Sequence, residues 1–494
     1  MPASRFTPEP QPGLPFDDDR VHEECAVFGI HGHPDAAAHA ALGLHALQHR
    51  GQEASGIVTF DGQRFNAHRE LGLVGDIFSS EAVMSRLLGH AAIGHNRYST
   101  TGDTLLRNVQ PLFADLSLGG FALAHNGNLT NATTLRRELV NRGAIFQSTS
   151  DTEVFIHLIA TSAGGNLIDR MLGALALVEG AYSLVAMTDD AVIGVRDPLG
   201  VRPLVLGRLG DAWLFASETC AFDIMGAEFV RDVEPGEMVV LGQGEPRSIR
   251  VTSGNRQRFC VFEYIYFARP DSVIEGTSVY EARKAIGREL ARESLPEADL
   301  VVPVPDSGVP AALGFAEESK LPFDLGIIRN HYVGRTFIEP GQEIRNLGVK
   351  LKHNANRPML EGKRVVLVDD SIVRGTTSRK IVQMVRATGA TEVHMRIASP
   401  PITDPCFYGV DTPERGQLLA AQMSVEEIAR HLDVDSLAFI SMDGLYRAMG
   451  RPGRDAAQPA FCDACFTGDY PTRLTDRESP SSPQLSLLSE LKRA

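Results

Sequence analysis

Residues 364–378 read RVVLVDDSIVRGTTS, and this stretch restricts the architecture of the chain more than any other. The run Val365–Val368 has no polar alternate positions, so both of its faces must be buried. That is the condition of a strand inside a parallel sheet, not of one facing water. The run delivers two adjacent carboxylates, Asp369 and Asp370, to the carboxyl edge of that sheet, and a loop and helix follow at TTSRKIVQMVRA, with Ile381, Val382 and Val385 on one face. Hydroxyls and a glycine at a helix N-terminus offer free N–H groups and the positive dipole end to an anion. Adjacent aspartates at a strand end suit a ribose diol, a hydrated Mg²⁺, or both. The bland alternative is a capped strand–helix turn with solvated aspartates, and these residues taken alone leave both readings open.

The neighbouring sequence repeats the pattern. DLVVPVP (299–305) is a second continuous apolar run and VHMRIAS (393–399) a mixed β-branched one, with helical stretches over Ser278–Leu290 and Thr377–Ala387. Strands of this kind alternating with helices predict a doubly wound parallel sheet. The first half of the chain reads differently. From Cys25 to Val251 it holds short strands (CAVFGI, GIVTF, AAIGHNRYST, FALAHNGNL, YSLVAMT, AVIGVRD, LVLG) joined by Gly-rich turns, with helices over Ala36–Leu47 and Asp151–Ser162. This predicts an α+β layered domain with mostly antiparallel sheets. A chain of 494 residues is too long for one core. The polar segment Thr252–Arg258 is the expected boundary, giving domains over 25–255 and 256–470. Residues 471–494, which end in the Ser/Pro-rich TDRESPSSPQLSLLSELKRA, are expected to be a mobile tail.

Charge narrows the partners. With 48 basic and 62 acidic residues the net charge is −14, which argues against a nucleic-acid ligand but not against a small phosphorylated one. No run of eighteen apolar residues occurs, and the leader MPASRFTPEPQPGLPFDDDR lacks the apolar core of a signal peptide. A cytoplasmic location is expected. Six scattered cysteines (Cys25, Cys220, Cys260, Cys406, Cys462 and Cys465) do not make a secreted disulfide scaffold; nucleophiles, metal ligands or core residues fit them better.

The string DDSIVRGTTS resembles the signature of type I phosphoribosyltransferases, which bind 5-phosphoribosyl-1-pyrophosphate (PRPP). The resemblance implies PRPP contacts from Asp369, Asp370, Ser371, Arg374, Gly375, Thr376 and Thr377. It also implies Mg²⁺ held by Asp369, Asp370 and Ser307, the last in DSG (306–308) after DLVVPVP. The segments RNHYVGRTFI and EIRNLGVKLKHNANR resemble the loop that closes over PRPP in that family. They carry Arg335, Arg345 and Lys350, with Tyr332 and Lys352 implied to seal the site and conduct ammonia.

Cys25 opens the first strand, and behind it lie HALQHRGQEASG (45–56), GHNRYSTTG (94–102), HNGNLTN (125–131) and STSDTEVF (148–155). Arg97 offers a forked cation for an α-carboxylate, Asp151 an anion for an α-ammonium, and Asn126 with Gly127 an oxyanion hole. Each has an ordinary alternative: a surface ion pair, a helix N-cap, an NG turn. In this order behind an early cysteine they resemble the class II, N-terminal nucleophile (Ntn) glutamine amidotransferases, whose mature chain begins with cysteine. The resemblance implies an αββα layered Ntn-hydrolase fold, Cys25 as nucleophile and residues 1–24 as a propeptide removed after Glu24. A free α-amine, with a pKa of about 7.7–8.0, can then act as base for its own thiol.

Both likenesses on one chain resemble the amidophosphoribosyltransferase family over roughly Cys25–Tyr470. Membership implies glutamine, PRPP and water as substrates, ammonia passed internally from one domain to the other, a homotetramer, and inhibition by purine nucleotides. The contexts RQRFCVFEYIYFARPDS, DPCFYGVDTP and FCDACFTGDYP resemble the branch of that family with a [4Fe–4S] cluster, implying Cys260, Cys406, Cys462 and Cys465 as ligands. Four thiolates also suit structural zinc. Cys220 has no partner and is expected in the core. The competing readings are another class II amidotransferase, or a PRPP-sensing regulator without catalysis.

Overall fold

The computed structural model describes residues 22–23, 25–98, 105–252, 256–330 and 353–478. These form two compact units, one of residues 22–280, 404–413 and 454–478, the other of 281–403 and 414–453.

The first unit is built on two antiparallel sheets. In one, the order is Glu228–Asp232, Val205–Leu209, Ala212–Ala216, Cys25–His31, Ala91–Arg97, Ala54–Phe60, Phe65–Leu71. In the other, it is Arg247–Arg250, Glu237–Leu241, Val192–Arg196, Gly180–Met187, Gly119–Leu129, Leu112–Leu116. The strand period of two sorts the side chains into layers. Ala26, Phe28 and Ile30 pack outward with Ala36, Ala40 and Leu44 of the helix Ala36–Ala46, while Val27 points inward to Ala122, Ala124 and Val185 of the opposite sheet. On that sheet Phe121, Leu123 and Leu184 face outward against the helices Ala132–Asn141, Thr152–Thr161 and Leu167–Leu175. Helix, sheet, sheet, helix is the αββα layering expected. Cys220 lies in the outer core with Ala216 and Phe222, as expected of it.

The second unit carries a four-stranded parallel sheet in the order Leu300–Pro303, Arg364–Asp369, Glu392–Ile397, Ser436–Phe439. Its two central strands are buried almost throughout, as the unbroken apolar run Val365–Val368 requires of the first; the second buries His394 and Arg396 with its apolar residues. The helix Thr376–Arg386 packs Ile381, Val382 and Val385 into the core with Val365, Leu367 and Val393.

The single cut near residue 255 does not describe the division. Residues 256–280, 404–413 and 454–478 belong to the first unit. Phe259–Cys260 pairs in parallel with Phe461–Cys462, and two fully buried arginines, Arg50 and Arg202, both reach Glu263. Burying those charges together ties the later segments to the earlier ones. Part of the expected tail is folded. Asp476 accepts from Thr133 N at 2.7 Å and Thr134 N at 2.9 Å, at the start of the helix Ala132–Asn141, and Thr475 Oγ1 donates to Glu179 at 2.6 Å. Residues 471–478 are thus part of the folded unit, because an acid at a helix N-terminus satisfies open N–H groups.

Candidate active sites

In the first unit Cys25 begins its strand and is registered opposite Arg97. Both are buried, and Arg97 Nη1 donates to Asn108 O at 3.2 Å. Asn108 is itself fixed by Thr149, whose N–H it accepts at 3.0 Å and whose hydroxyl it reaches at 2.9 Å. The two sheets are joined close by: the fully buried His95 donates Nε2–H to His125 O at 3.1 Å. Burial, helped by the Arg97 charge, lowers the His95 pKa to about 3, so this ring is neutral. The link sets Arg97, two residues past His95, at the same end of the sandwich as Asn126, one past His125.

Asn126 and Gly127 do not form a turn. They lie inside the eleven-residue strand Gly119–Leu129. The Asn126 side chain is fully buried, and neither its Nδ2 nor its Oδ1 has a hydrogen-bond partner in the protein. Leaving a buried amide unsatisfied costs about 1–3 kcal/mol, so the fold alone does not account for it. Gly127 has φ +138°, and a Cβ there would sit 2.1 Å from Ala181 O, so only glycine fits. Asp151 holds the N-cap position of the helix Thr152–Thr161 but makes no side-chain cap bond. Its carboxylate instead accepts from Leu129 N at 3.0 Å and lies 3.6 Å from His125 Nδ1. Burial pushes its pKa up, but His125 and the Leu129 and Thr152 N–H groups outweigh that, and the group is held ionised below its ordinary range.

In the second unit the aspartates are not solvated. Asp369 and Asp370 are 4% and 3% exposed. Asp370 N donates to Asp369 Oδ1 at 3.0 Å, and Ser371 Oγ donates to Asp370 Oδ2 at 2.6 Å. Neither caps the next helix, whose N-cap is Gly375, at φ +78°, with no side-chain cap bond. A Cβ on Gly375 would meet Leu419 Cδ2 at 2.7 Å, so the loop turns where only glycine fits. Thr376 is exposed, Arg374 and Thr377 are half-buried, and Arg374 Nη2 donates to Gln417 Oε1 at 3.3 Å. On the adjacent strand end, the Ser307 hydroxyl is shielded without a partner. Asp306 pairs with Arg329. Tyr332, Arg335, Arg345, Lys350 and Lys352 lie outside the described residues.

The remaining four cysteines converge within the first unit. Cys260 is registered beside Cys462, Asp404 N donates to Cys465 O at 3.1 Å, and Tyr408 N donates to Cys406 Sγ at 3.3 Å. Burial pushes the Cys260 thiol up to about 12, Glu263 and Cys406 adding to the rise against the pull of Arg202. Cys462 and Cys465 are raised for the same first reason, and each responds to the charges of Cys260 and Cys406. Among the described residues no three His, Cys, Asp or Glu side chains already stand in a metal-holding arrangement.

The glutamine amidotransferase domain family matches residues 95–223, and the phosphoribosyl transferase domain family matches residues 276–398. The chain is 59% identical to the amidophosphoribosyltransferase of Rhizobium etli over 96% of its own length and 97% of that protein. The chain belongs to the amidophosphoribosyltransferases. It is also 51% identical to the Bacillus subtilis amidophosphoribosyltransferase over 92% of its length and 95% of that protein's. The solved B. subtilis glutamine PRPP amidotransferase, complexed with ADP and GMP, aligns at TM-score 0.86 and 50% identity, covering 91% of this chain and 98% of that one. As an amidophosphoribosyltransferase the chain is an enzyme of purine biosynthesis. It turns glutamine, PRPP and water into 5-phosphoribosylamine, glutamate and pyrophosphate.

Motif reading picked candidates at the strand ends and passed over the buried residues that hold them. Asn108 behind Arg97 was not singled out, nor was Gln110, which accepts from His125 N at 2.8 Å and donates to Thr152 Oγ1 at 3.0 Å. The buried Arg50, Glu218, Glu263 and Arg202 were missed as well. One signal was available: RDPLGVRPL (196–204) places two arginines among apolar residues, where a charge needs a buried partner.

Proposed function

We propose that glutamine is hydrolysed at Cys25 after removal of residues 1–24, and that the ammonia released attacks C1 of PRPP held by the 369–377 loop. The observation that carries the first half is the Asn126 amide, fully buried and unpartnered at the end of the sandwich that carries Cys25 and Arg97. Arg97 takes the glutamine α-carboxylate and Asp151 its α-ammonium. The free α-amine of Cys25 accepts the thiol proton as sulfur attacks the carboxamide carbon. The oxyanion then receives hydrogen bonds from Asn126 Nδ2 and Gly127 N. Collapse breaks the C–N bond as the Cys25 α-ammonium gives its proton to the leaving nitrogen, which departs as ammonia, and water hydrolyses the glutamyl thioester to glutamate and the free thiol. In the second unit Asp369 and Asp370 orient the ribose, while the N–H groups and hydroxyls of Ser371–Thr377 hold the 5-phosphate. Displacement at C1 releases pyrophosphate, with Arg374 contributing charge and Tyr332 and Lys352 closing the site. Ser307, Asp369 and Asp370 have the hard oxygen donors that Mg²⁺ prefers, and the unpartnered Ser307 hydroxyl supports that reading; bound Mg²⁺ would neutralise charge on the leaving pyrophosphate.

The residues Cys260, Cys406, Cys462 and Cys465, on segments that all belong to the first unit, support a [4Fe–4S] cluster. The donor set is all sulfur, it joins three separate segments, and thiols this buried need a cation to ionise. Such a cluster would fasten those segments. Purine nucleotides are proposed as inhibitors, in line with the ADP and GMP bound to the B. subtilis relative. A homotetramer in the cytoplasm completes the proposal; among the described residues no helix is long and apolar enough to cross a membrane.

The test is the N-terminus of the active enzyme. Intact mass and N-terminal sequencing should show a chain starting at Cys25, and a variant blocked in Glu24–Cys25 cleavage should not hydrolyse glutamine. A fully active preparation that retains residues 1–24 would overturn the amine-as-base reading.

A further inference from the structure

Arg202 is fully buried, and its guanidinium grips two successive carbonyls. Nε donates to Tyr408 O at 2.9 Å, Nη2 donates to Gly409 O, and Nη1 donates to Glu263 Oε1 at 3.0 Å. The gripped segment lies against the glutaminase strand. At Gly409, with φ +97°, a Cβ would sit 2.9 Å from Gly127 Cα and 3.2 Å from Gly127 C. Next to Gly127, Asn128 Nδ2 donates to Phe407 O at 3.0 Å. Before processing the same segment also continues into Val410 and Asp411, which pair with Glu23 and His22; the processed enzyme lacks that pairing, so the clamp rests on the Arg202, Gly127 and Asn128 contacts. Backbone therefore meets backbone at the peptide assigned to the oxyanion hole, and a charged fork fixes the segment from behind.

We propose that the 407–411 segment, clamped by Arg202, is a positioning element that holds the Gly127 N–H in place for the oxyanion, with Arg202 a positioning residue for glutamine hydrolysis. This rests on the reading of Asn126 and Gly127 as oxyanion donors. A glycine at positive φ has no side chain to hold its peptide plane, so the plane is set by what packs on it. Oxyanion donors act only within about 2.7–3.1 Å of the developing charge, and misplacement by 1 Å can cost about 100-fold. Lysine cannot replace Arg202, because a point charge cannot hold two carbonyls and a carboxylate in one plane.

The experiment uses the full processed enzyme with Arg202→Lys, Gly409→Ala, Asn128→Ala and Asn126→Ala. Expected is a fall in glutaminase kcat of about 10-fold or more for Gly409→Ala and Arg202→Lys, and a smaller fall for Asn128→Ala. The glutamine KM, the rate of Cys25 alkylation by iodoacetamide and ammonium-dependent synthesis should stay near wild type, because Arg97, Asp151, the thiol and the PRPP loop are untouched. Arg202→Lys risks misfolding by disturbing Glu263, and Gly409→Ala strains the backbone at positive φ against Gly127; Asn128→Ala does neither, and Gly409→Ala and Asn128→Ala together carry the test. Glutaminase kcat at wild type in both, while Asn126→Ala loses it, would overturn the clamp and leave the oxyanion reading intact. Wild-type kcat in Asn126→Ala would overturn the oxyanion reading and the clamp with it. A rise in KM and loss of ammonium-dependent synthesis matching the fall in kcat would mean general disruption, and would also overturn the clamp.

Discussion

Replacing Asn126 by alanine should move stability and activity in unrelated directions. In the resting protein both polar atoms of this side chain are buried without partners. Removing them relieves a desolvation cost of about 1–3 kcal/mol. Truncation also deletes packing worth roughly 1–2 kcal/mol, at about 0.8 kcal/mol per methylene-sized group. The two nearly cancel, so the unfolding free energy should stay within about 1 kcal/mol of wild type. Asn96 is the control. Its Nδ2 donates to Leu44 O at 2.7 Å and its Oδ1 accepts from Ser55 Oγ at 2.9 Å. Asn96→Ala strips Leu44 O of this donor and leaves Ser55 Oγ only its 3.2 Å bond to His95 O, and should destabilise by about 2 kcal/mol. Activity sets the two apart again, since loss of one oxyanion donor costs about 10²–10³ in kcat, or about 2.7–4 kcal/mol of barrier. Denaturant unfolding and glutamate release, measured on both variants, check this. Asn126→Ala destabilised as much as Asn96→Ala, with glutaminase kcat unchanged, would refute the reasoning.

Asp370→Asn should weaken PRPP use at least several-fold with either nitrogen donor, read from PRPP titrations; unchanged titrations would return the aspartates to a structural role. Burial pushes the Glu153 pKa up, but His157, Ser148 and the Gln147 and Ser148 N–H groups outweigh it and hold the carboxyl at about 2. Its stabilisation is therefore fully present above the unfolded value of about 4.3 and lost as pH falls toward 2, so Glu153→Gln should be destabilised at pH 6 and approach wild type near pH 2 in equilibrium unfolding. Purified without oxygen, the protein should be brown with about four iron and four sulfide per chain, and lose its visible absorbance and thermal stability on removal of iron; stoichiometric zinc without colour would favour the structural-zinc alternative.

Much of the parallel-sheet unit was legible because the strands Leu300–Pro303 and Arg364–Asp369 are built on continuous apolar runs, which have few other places to go. The short strand Ser436–Phe439 at its edge was missed, since it is half-buried along its length and four residues long. In the layered unit the helices at Ala36 and Thr152 fell within a residue of expectation. Candidate site residues were picked where chemistry demands a residue type, and the structure registers Cys25 opposite Arg97 and buries Asn126, Asp369 and Asp370. The division of the chain was not legible. It depends on pairings such as Cys260 with Cys462 and Arg202 with Tyr408, each about two hundred residues apart, and local sequence carries no sign of them. The tail misled for a related reason: a polar composition suggests mobility, yet Asp476 finds open N–H groups at Thr133 and Thr134.

The central claim is that one chain holds two separable chemistries, a thiol that frees ammonia and a loop that uses it. The most direct measurement is pyrophosphate release from PRPP by Cys25→Ala, with glutamine and then with an ammonium salt as nitrogen donor. Release should vanish with glutamine and persist near the wild-type rate with ammonium. Loss of both in a folded protein, or retention of both, would contradict the assignment.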